Sequence, residues 1–255
     1  MQDGSGQWLL DEFPALFMIV AERTFGGMYH WADGSTAAIS DLEWVQTNIR
    51  RGPLGSVYPS RGWEHDKPGV KEGDSPTFLH LLSGTYGLND PERPWMGGWG
   101  GRFVNTDNAT NHWTDAQEGP YSISRFQEAF QNDFAARLEA TIKPPGDVNR
   151  KPVAIINGDS SGQIHSIQAQ PRETVELDST QTYDPDGDSF TRTWWHFHEA
   201  STYSDNVPLV TENGICQVDI PKDAAGTSIH VVLEVTDTGE PALSDYCRIV
   251  ISVDK

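Results

Sequence analysis

Lys143-Pro144-Pro145-Gly146-Asp147-Val148-Asn149-Arg150-Lys151-Pro152 separates two stretches of chain that follow different hydrophobic periods. Its prolines and glycine, set among charges, read as a linker. On the N-terminal side, Ile123, Phe126, Phe130, Phe134 and Leu138 recur at steps of three to four, the stripe of an amphipathic helix. On the C-terminal side the step becomes two. Ile229, Val231, Leu233 and Val235 alternate with other residues, as do Cys247, Ile249, Ile251 and Val253, and Cys216, Val218 and Ile220. Adding Val153–Asn157, Ile164–Ala169, Thr174–Leu177 and Phe190–His198 makes about seven short strands, the pattern of an immunoglobulin-like sandwich of roughly 100 residues. The expected organisation is an α/β domain over 1–142, a linker over 143–152 and an all-β sandwich over 153–255.

Within the first part, Gln7–Phe13 is helix-like and the apolar run Leu16-Phe17-Met18-Ile19-Val20-Ala21 reads as a buried strand of a parallel sheet. Leu42, Val45 and Ile49 stand at helical spacing between Ser40 and Arg50, with Ser40 or Asp41 as N-cap. A turn-rich segment runs from Gly52 to Gly73. Asp74-Ser75-Pro76 then opens a helix through Leu82, with proline where its missing N–H costs nothing. Gly84 to Pro120 has no periodicity and is too long for an ordinary connection. Helix, strand, helix, loop, helix is α/β material, yet only one strand of parallel type is visible, so most of its sheet is missing or hidden.

The chain has 255 residues and a formal charge of −19, which argues against nucleic acid or an anionic membrane surface as partner and leaves neutral glycans open. No apolar run is long enough to span a bilayer. Met1-Gln2-Asp3-Gly4-Ser5-Gly6 has neither the basic region nor the apolar core of a signal peptide. Cys216 and Cys247 fall on the apolar faces of their strands; they read either as buried thiols or as one disulfide across the core.

Trp95-Met96-Gly97-Gly98-Trp99-Gly100-Gly101-Arg102-Phe103 combines glycine, which is costly to order, with bulky indoles. Trp63, Trp95, Trp99 and Trp113 all lie in or beside unpatterned loops. Flat aromatic faces stack on sugar rings, so these residues and Arg102 are candidate contacts for a poly- or oligosaccharide. The other reading is a packed plug, with Arg102 anchoring the loop to a carboxylate. Glycosidases work with paired carboxylates, and the loops offer Glu64, Asp66, Glu72, Asp74, Asp90 and Glu92. Glu72, Asp74, Glu64 and Asp66 are the catalytic candidates, while Asp90-Pro91-Glu92-Arg93 also reads as a turn held by a local ion pair. Asp184-Pro185-Asp186-Gly187-Asp188 fails the EF-hand spacing; it is a turn, bare or with calcium on Asp184, Asp186 and Asp188. His196 and His198 form a weak pair best read as exposed polar residues. Trp194 and Trp195 point to opposite faces, and either can be the core residue.

"KEGDSPTFLHLL", "GLNDPERPWMGGWGGRF" and "FQEAFQNDFAARLEATI", in that order, resemble the bacterial nucleoside-hydrolase-like, cellulose-binding two-domain proteins associated with polysaccharide degradation. "STQTYDPDGDSFTRTWWHFHEA" and "IHVVLEVTDTGEPAL" resemble their PKD-type, immunoglobulin-like C-terminal domain. The resemblance implies a partial nucleoside-hydrolase-like α/β domain followed by the sandwich, and an extracellular or periplasmic location for the parent family. It also implies calcium, with Asp74 as a late ligand at a helix start; Gly73 stands where the family places a histidine. The family's Asp-rich cluster after the first strand has no counterpart ahead of Trp8, so the chain reads as entering the first domain partway. Glycosidic-bond hydrolysis by the remaining loop carboxylates is the expected chemistry, and non-catalytic glycan binding through the Trp-rich loops is the alternative.

Overall fold

The computed structural model describes residues 5–29, 41–59 and 69–255. The chain divides into two units, Met1–Gly84 with Asp90–Pro145, and Thr85–Asn89 with Gly146–Lys255.

In the first unit, helix α1 (Ser5–Glu12) stops short of Pro14 and is followed by strand β1 (Met18–Val20). Proline disfavours helical backbone in the residue before it, which sets that boundary. Helix α2 (Leu42–Trp44) runs into a wider π turn, Val45–Ile49. Asp41 Oδ1 accepts the Trp44 N–H at 2.8 Å and so caps it; Ser40 lies outside the described residues. A short helix α3 (Gly52–Gly55) precedes α4 (Pro76–Thr85), which has Pro76 at its first position as expected.

The Gly84–Pro120 stretch contains two strands that its lack of period concealed: β2 (Phe103–Val104) and β3 (His112–Asp115). Strands this short hold no more than one or two alternations, so no pattern can be read from them. The sheet order is β1-β3-β2, with β1 parallel to β3 in the register Met18↔His112 and β2 antiparallel to β3. Asp115, at the end of β3, clamps the turn after β1. Its Oδ2 accepts the Arg23 N–H at 2.7 Å and its Oδ1 accepts the Thr24 hydroxyl at 2.7 Å.

The stripe from Ile123 to Leu138 forms two helices, α5 (Tyr121–Ser124) and α6 (Gln127–Glu139), broken at Phe126, where φ is −106° and ψ is 7°. The stripe faces inward across the break: Ile123, Phe126 and Phe130 are buried, and Leu138 packs with Val45, Ile49, Val70 and Ala135. At the end of α6, Arg51 and Lys143 each reach Glu139 Oε1 at 2.8 Å. Burial raises the pKa of Glu139, but these hydrogen bonds outweigh it and hold the carboxyl below its usual range.

The second unit is the sandwich. Its strands are β4 (His165–Ala169), β5 (Thr174–Asp178), β6 (Phe190–His196), β7 (Leu209–Glu212), β8 (Ile215–Asp219), β9 (Ser228–Asp237) and β10 (Ser244–Val253). One sheet is ordered β4-β10-β9-β6 and the other β5-β8-β7. The alternating positions of β8, β9 and β10 meet in one core: Cys216 and Val218 with Val231, Leu233, Val235, Cys247, Ile249 and Ile251.

Two expectations need correction here. Val153–Asn157 is not a strand; it makes only isolated bridges, Val153 to Tyr183 and Ile156 to Asp159, although Ile156 is buried in the core. The seventh strand is β7 instead, which lies mostly exposed at a sheet edge and therefore carries no apolar alternation. Of the paired tryptophans, Trp194 lies opposite Leu233 and packs on the core, while Trp195 lies opposite Val232 on the other face. Cys216 and Cys247 are free and buried, and burial raises their thiol pKa to about 11 and about 12. They pack as small apolar side chains.

Candidate functional site

A cleft of about 1530 Å³ opens in the first unit, lined by β1, the turn after it and the N-terminal turn of α4. Three carboxylate residues line it: Glu22, Asp74 and Glu92. Asp74 is exposed in the turn that leads into α4. Glu72 is committed elsewhere. Its carboxylate accepts from the Ser75 hydroxyl and lies against the Tyr58 hydroxyl, which itself accepts the Lys71 N–H at 2.8 Å. Burial first, and then the charge of Glu72, push the Tyr58 phenol far above its ordinary range; the same two causes raise that of Tyr29. Glu72 is thus a bracing residue, and Asp74 is the member of the pair that reaches the cleft. Glu64, Asp66 and Trp63 lie outside the described residues.

His80, on α4, is buried at the cleft wall and donates from Nε2 to the Pro91 carbonyl at 2.9 Å. Burial lowers its pKa, against the opposing pull of the Pro91 hydrogen bond and the Asp90 charge. Asp90 forms the expected local turn: its Oδ1 accepts the Glu92 N–H at 2.9 Å and its Oδ2 lies 3.2 Å from Arg93.

The glycine-tryptophan loop resolves into two kinds of aromatic. Trp99 is 1% exposed, meets Phe130 edge-on at 6.4 Å between centroids, and donates its backbone N–H to Ser83 Oγ at 3.2 Å. It has no face left for a ligand and is a core residue, which corrects its place among the substrate contacts. Gly100 lets the loop lie on α4, since a Cβ there would sit 2.4 Å from the Pro76 carbonyl and 2.5 Å from the His80 nitrogen. Arg102 reaches Glu118 Oε1 at 2.7 and 3.1 Å, so it anchors the loop to a carboxylate.

Trp95 is different. It stands on a 3₁₀ turn, Pro94–Met96, is 37% exposed, and stacks on Trp113 of β3 with centroids 5.4 Å apart and planes 24° from parallel. Trp113 Nε1 donates to Asn111 Oδ1 at 3.1 Å, which fixes its ring. Asn111, Tyr58, Glu22 and His80 were not singled out in the sequence. Asn111 was findable as an amide two residues before a loop-side indole; the others carried no local signal.

In the sandwich, the carboxylates of Asp184, Asp186 and Asp188 lie within 4.8 Å of one another. Asp184 Oδ1 accepts the N–H groups of Asp186 at 2.8 Å and Asp188 at 3.1 Å, an Asx-turn pattern. Both Asp186 oxygens are engaged by Arg150, through its backbone N–H at 2.8 Å and its guanidinium Nε at 2.8 Å. Asp184 Oδ2 is buried without a hydrogen-bond partner. Arg150 therefore competes with any cation for Asp186, while Asp184 and Asp188 supply the other carboxylates of the turn. Asp74 belongs to no group of three ligating side chains among the described residues. His196 uses both ring nitrogens, on Ser201 Oγ at 3.0 Å and the Val207 N–H at 3.1 Å, and His198 is exposed with Nε2 on the Ser204 carbonyl at 2.6 Å.

Two family models match the chain: cellulose-binding Sde182, nucleoside hydrolase-like domain, over residues 1–103, and cellulose-binding protein Sde0182, C-terminal domain, over residues 174–253. Among solved structures, the chain is similar to a nucleoside hydrolase-related hypothetical protein from Saccharophagus degradans that is associated with carbohydrate metabolism. The identity is 34% and the TM-score 0.82, over 99% of this chain and 61% of that one. This chain therefore spans about three-fifths of that relative's length. Titin domain M7 matches at 13% identity over 42% of this chain and 98% of that one, with a TM-score of 0.27. The PKD domain from the KIAA 1837 protein matches at 14% identity over 36% and 82%, with a TM-score of 0.26. No curated protein matches the chain. Residues 1–103 thus match the nucleoside hydrolase-like domain, and residues 174–253 the C-terminal domain, of the cellulose-binding proteins that these two models describe.

Proposed function

We propose that this chain binds plant polysaccharide, cellulose or a related glucan, through the Trp95–Trp113 stack. The observation that carries the reading is a fixed pair of indoles with Trp95 37% exposed. Stacking takes up one face of each ring, and Trp95 keeps part of its apolar ring surface open to solvent. The C–H face of a pyranose ring is complementary to such a surface. Both matching families are described as cellulose-binding, and the Saccharophagus relative as associated with carbohydrate metabolism. The charge of −19 is compatible with a neutral glycan. An extracellular or periplasmic location goes with a polymeric ligand. Affinity electrophoresis in soluble glucan and pull-down on insoluble cellulose test the proposal, and retention unchanged in both Trp95→Ala and Trp113→Ala would refute it.

A second reading rests on a different observation, the carboxylate residues Glu22, Asp74 and Glu92 around one cleft. In this reading one carboxyl protonates the departing atom, the oxygen of an O-glycoside or a nitrogen of the nucleobase, while another, ionised, assists water or attacks carbon. Release of sugar from cellulose, glucans or ribonucleosides, abolished by Asp74→Asn, is the expected result. Absence of release by folded protein on all of these substrates removes it and leaves binding untouched.

A further inference from the structure

We propose that Trp95 and the neighbouring cleft form one tract for a single free glucan chain, and that this tract does not grip the face of a cellulose crystal. The proposal rests on the reading of the Trp95–Trp113 stack as a sugar platform and names the form of glucan that it takes.

In crystalline cellulose the hydroxyls at the ring edges are bonded to neighbouring chains, and the face offers a flat array of C–H surfaces. Holding it takes several aromatic faces side by side in one plane, because each ring contact is weak and retention comes from their sum. Trp95 and Trp113 are arranged otherwise. Their planes lie 24° from parallel with centroids 5.4 Å apart, so one ring lies over the other. Trp113 is the less exposed of the two and supports Trp95 from beneath, so the pair presents one platform. That platform is fixed: Pro94 and Met96, on either side of Trp95, are buried, and Trp113 is tied through Nε1 to Asn111.

A free chain keeps its hydroxyls for hydrogen bonding and can bend out of one plane. The segment that carries Trp95 meets both properties. Arg93 remains largely exposed while it pairs with Asp90, and Pro91 and Glu92 line the cleft of about 1530 Å³. Glu92 stands three residues before Trp95, which limits their Cα separation to about 11 Å. Platform and cleft therefore adjoin within the first unit. Inside the cleft, Phe17 and Phe25 are 42% and 40% exposed, and Glu22 and Asp74 share the wall with Glu92. Aromatic faces set among hydrogen-bond acceptors suit a neutral, hydroxyl-rich chain. The cleft exceeds the roughly 300–1,000 Å³ of small-molecule sites and has room for several sugar units. A recess of this kind admits one strand of polymer and is out of reach of chains packed in a flat face.

The test uses the intact chain with cello-oligosaccharides, acid-swollen amorphous cellulose and microcrystalline cellulose. Retention on amorphous cellulose, competed by cellohexaose, is expected, with retention on microcrystalline cellulose weaker by about tenfold at equal accessible surface. Calorimetry should show affinity rising by about tenfold from cellobiose to cellohexaose. Glu92→Ala and Phe25→Ala should each lower cellohexaose affinity by about threefold and leave cellobiose affinity unchanged, with circular dichroism like that of wild type. Trp95→Ala should weaken binding of every one of these glucans. Equal retention on the two celluloses, affinity independent of chain length, or a chain-length gain that survives in both cleft variants overturns the proposal and leaves the Trp95–Trp113 platform standing. Retention on neither cellulose refutes the platform, and this proposal with it.

Discussion

Trp95 and Trp113 lie ring on ring, 5.4 Å between centroids, although one stands on a 3₁₀ turn and the other on a sheet strand. Removing either indole should lower retention on cellulose by roughly tenfold, since an aromatic stack contributes about 0.5–1.5 kcal/mol beyond its buried area. Unfolding by urea should shift little for Trp95→Ala. Trp99→Ala should do the reverse, costing about 3–5 kcal/mol of stability through the cavity it leaves. A Trp99→Ala protein as stable as wild type would show that the loop is not seated as described.

Gly100 touches the first turn of α4 so closely that its hydrogen has no room to become a methyl group. The obstacles are backbone atoms of Pro76 and His80, which cannot swing aside. Gly100→Ala should therefore destabilise the first unit by about 1–3 kcal/mol, the usual cost of overpacking. Tryptophan fluorescence during urea unfolding reads the change, and an unchanged midpoint would contradict the close contact.

His230 is buried in the sandwich with Arg248 Nη1 3.4 Å from its Nδ1. Burial first, then the charges of Arg248 and His196, push its pKa down to about 3. In the unfolded chain the group takes up its proton near the ordinary value of about 6.5, so between those values the unfolded state binds more protons. Stability should be complete above that upper value and fall as pH drops toward the lower one, by on the order of 2 kcal/mol at about pH 5. Burial lowers the pKa of His80 and His196 as well, adding loss in the same direction. His230→Gln should flatten part of the pH dependence of the urea midpoint; an identical pH profile would refute the assignment.

Arg150 holds both oxygens of Asp186. Millimolar calcium should accordingly leave the melting temperature of the wild-type chain unchanged. Arg150→Ala removes the guanidinium from three neighbouring carboxylates, and the variant should then gain calcium-dependent stabilisation of a few degrees, by mass action on the folded state. Differential scanning calorimetry with and without calcium checks both outcomes. Stabilisation of the wild type would mean that the ion displaces the arginine.

The period change across the linker carried the fold class because burial on one face writes itself into sequence wherever an element is long enough. β9 and β10 and the α5–α6 stripe are such elements. β2, β3 and β7 are not: the first two are too short to alternate, and β7 is an exposed edge strand. Val153–Asn157 departs from its expected strand for the converse reason, since burial without pairing produces an apolar run but no ladder. At the candidate site, the indoles and acids were visible as residue types, but their separation into bracing and presented groups was not. Glu72 and Asp74 are two residues apart, yet the first is engaged by Ser75 and Tyr58 and the second faces the cleft.

Sequence alone determined the two-part architecture, the resemblance to the two family models and the net acidity, because periodicity, motif order and charge are properties of the chain read in line. Tertiary structure decided which tryptophan is core and which is presented, which carboxylate is free, and that the two thiols stay apart. Those outcomes depend on distances between residues remote in sequence, such as Trp95 with Trp113 or Arg150 with Asp186, and packing sets such distances only after the chain has folded.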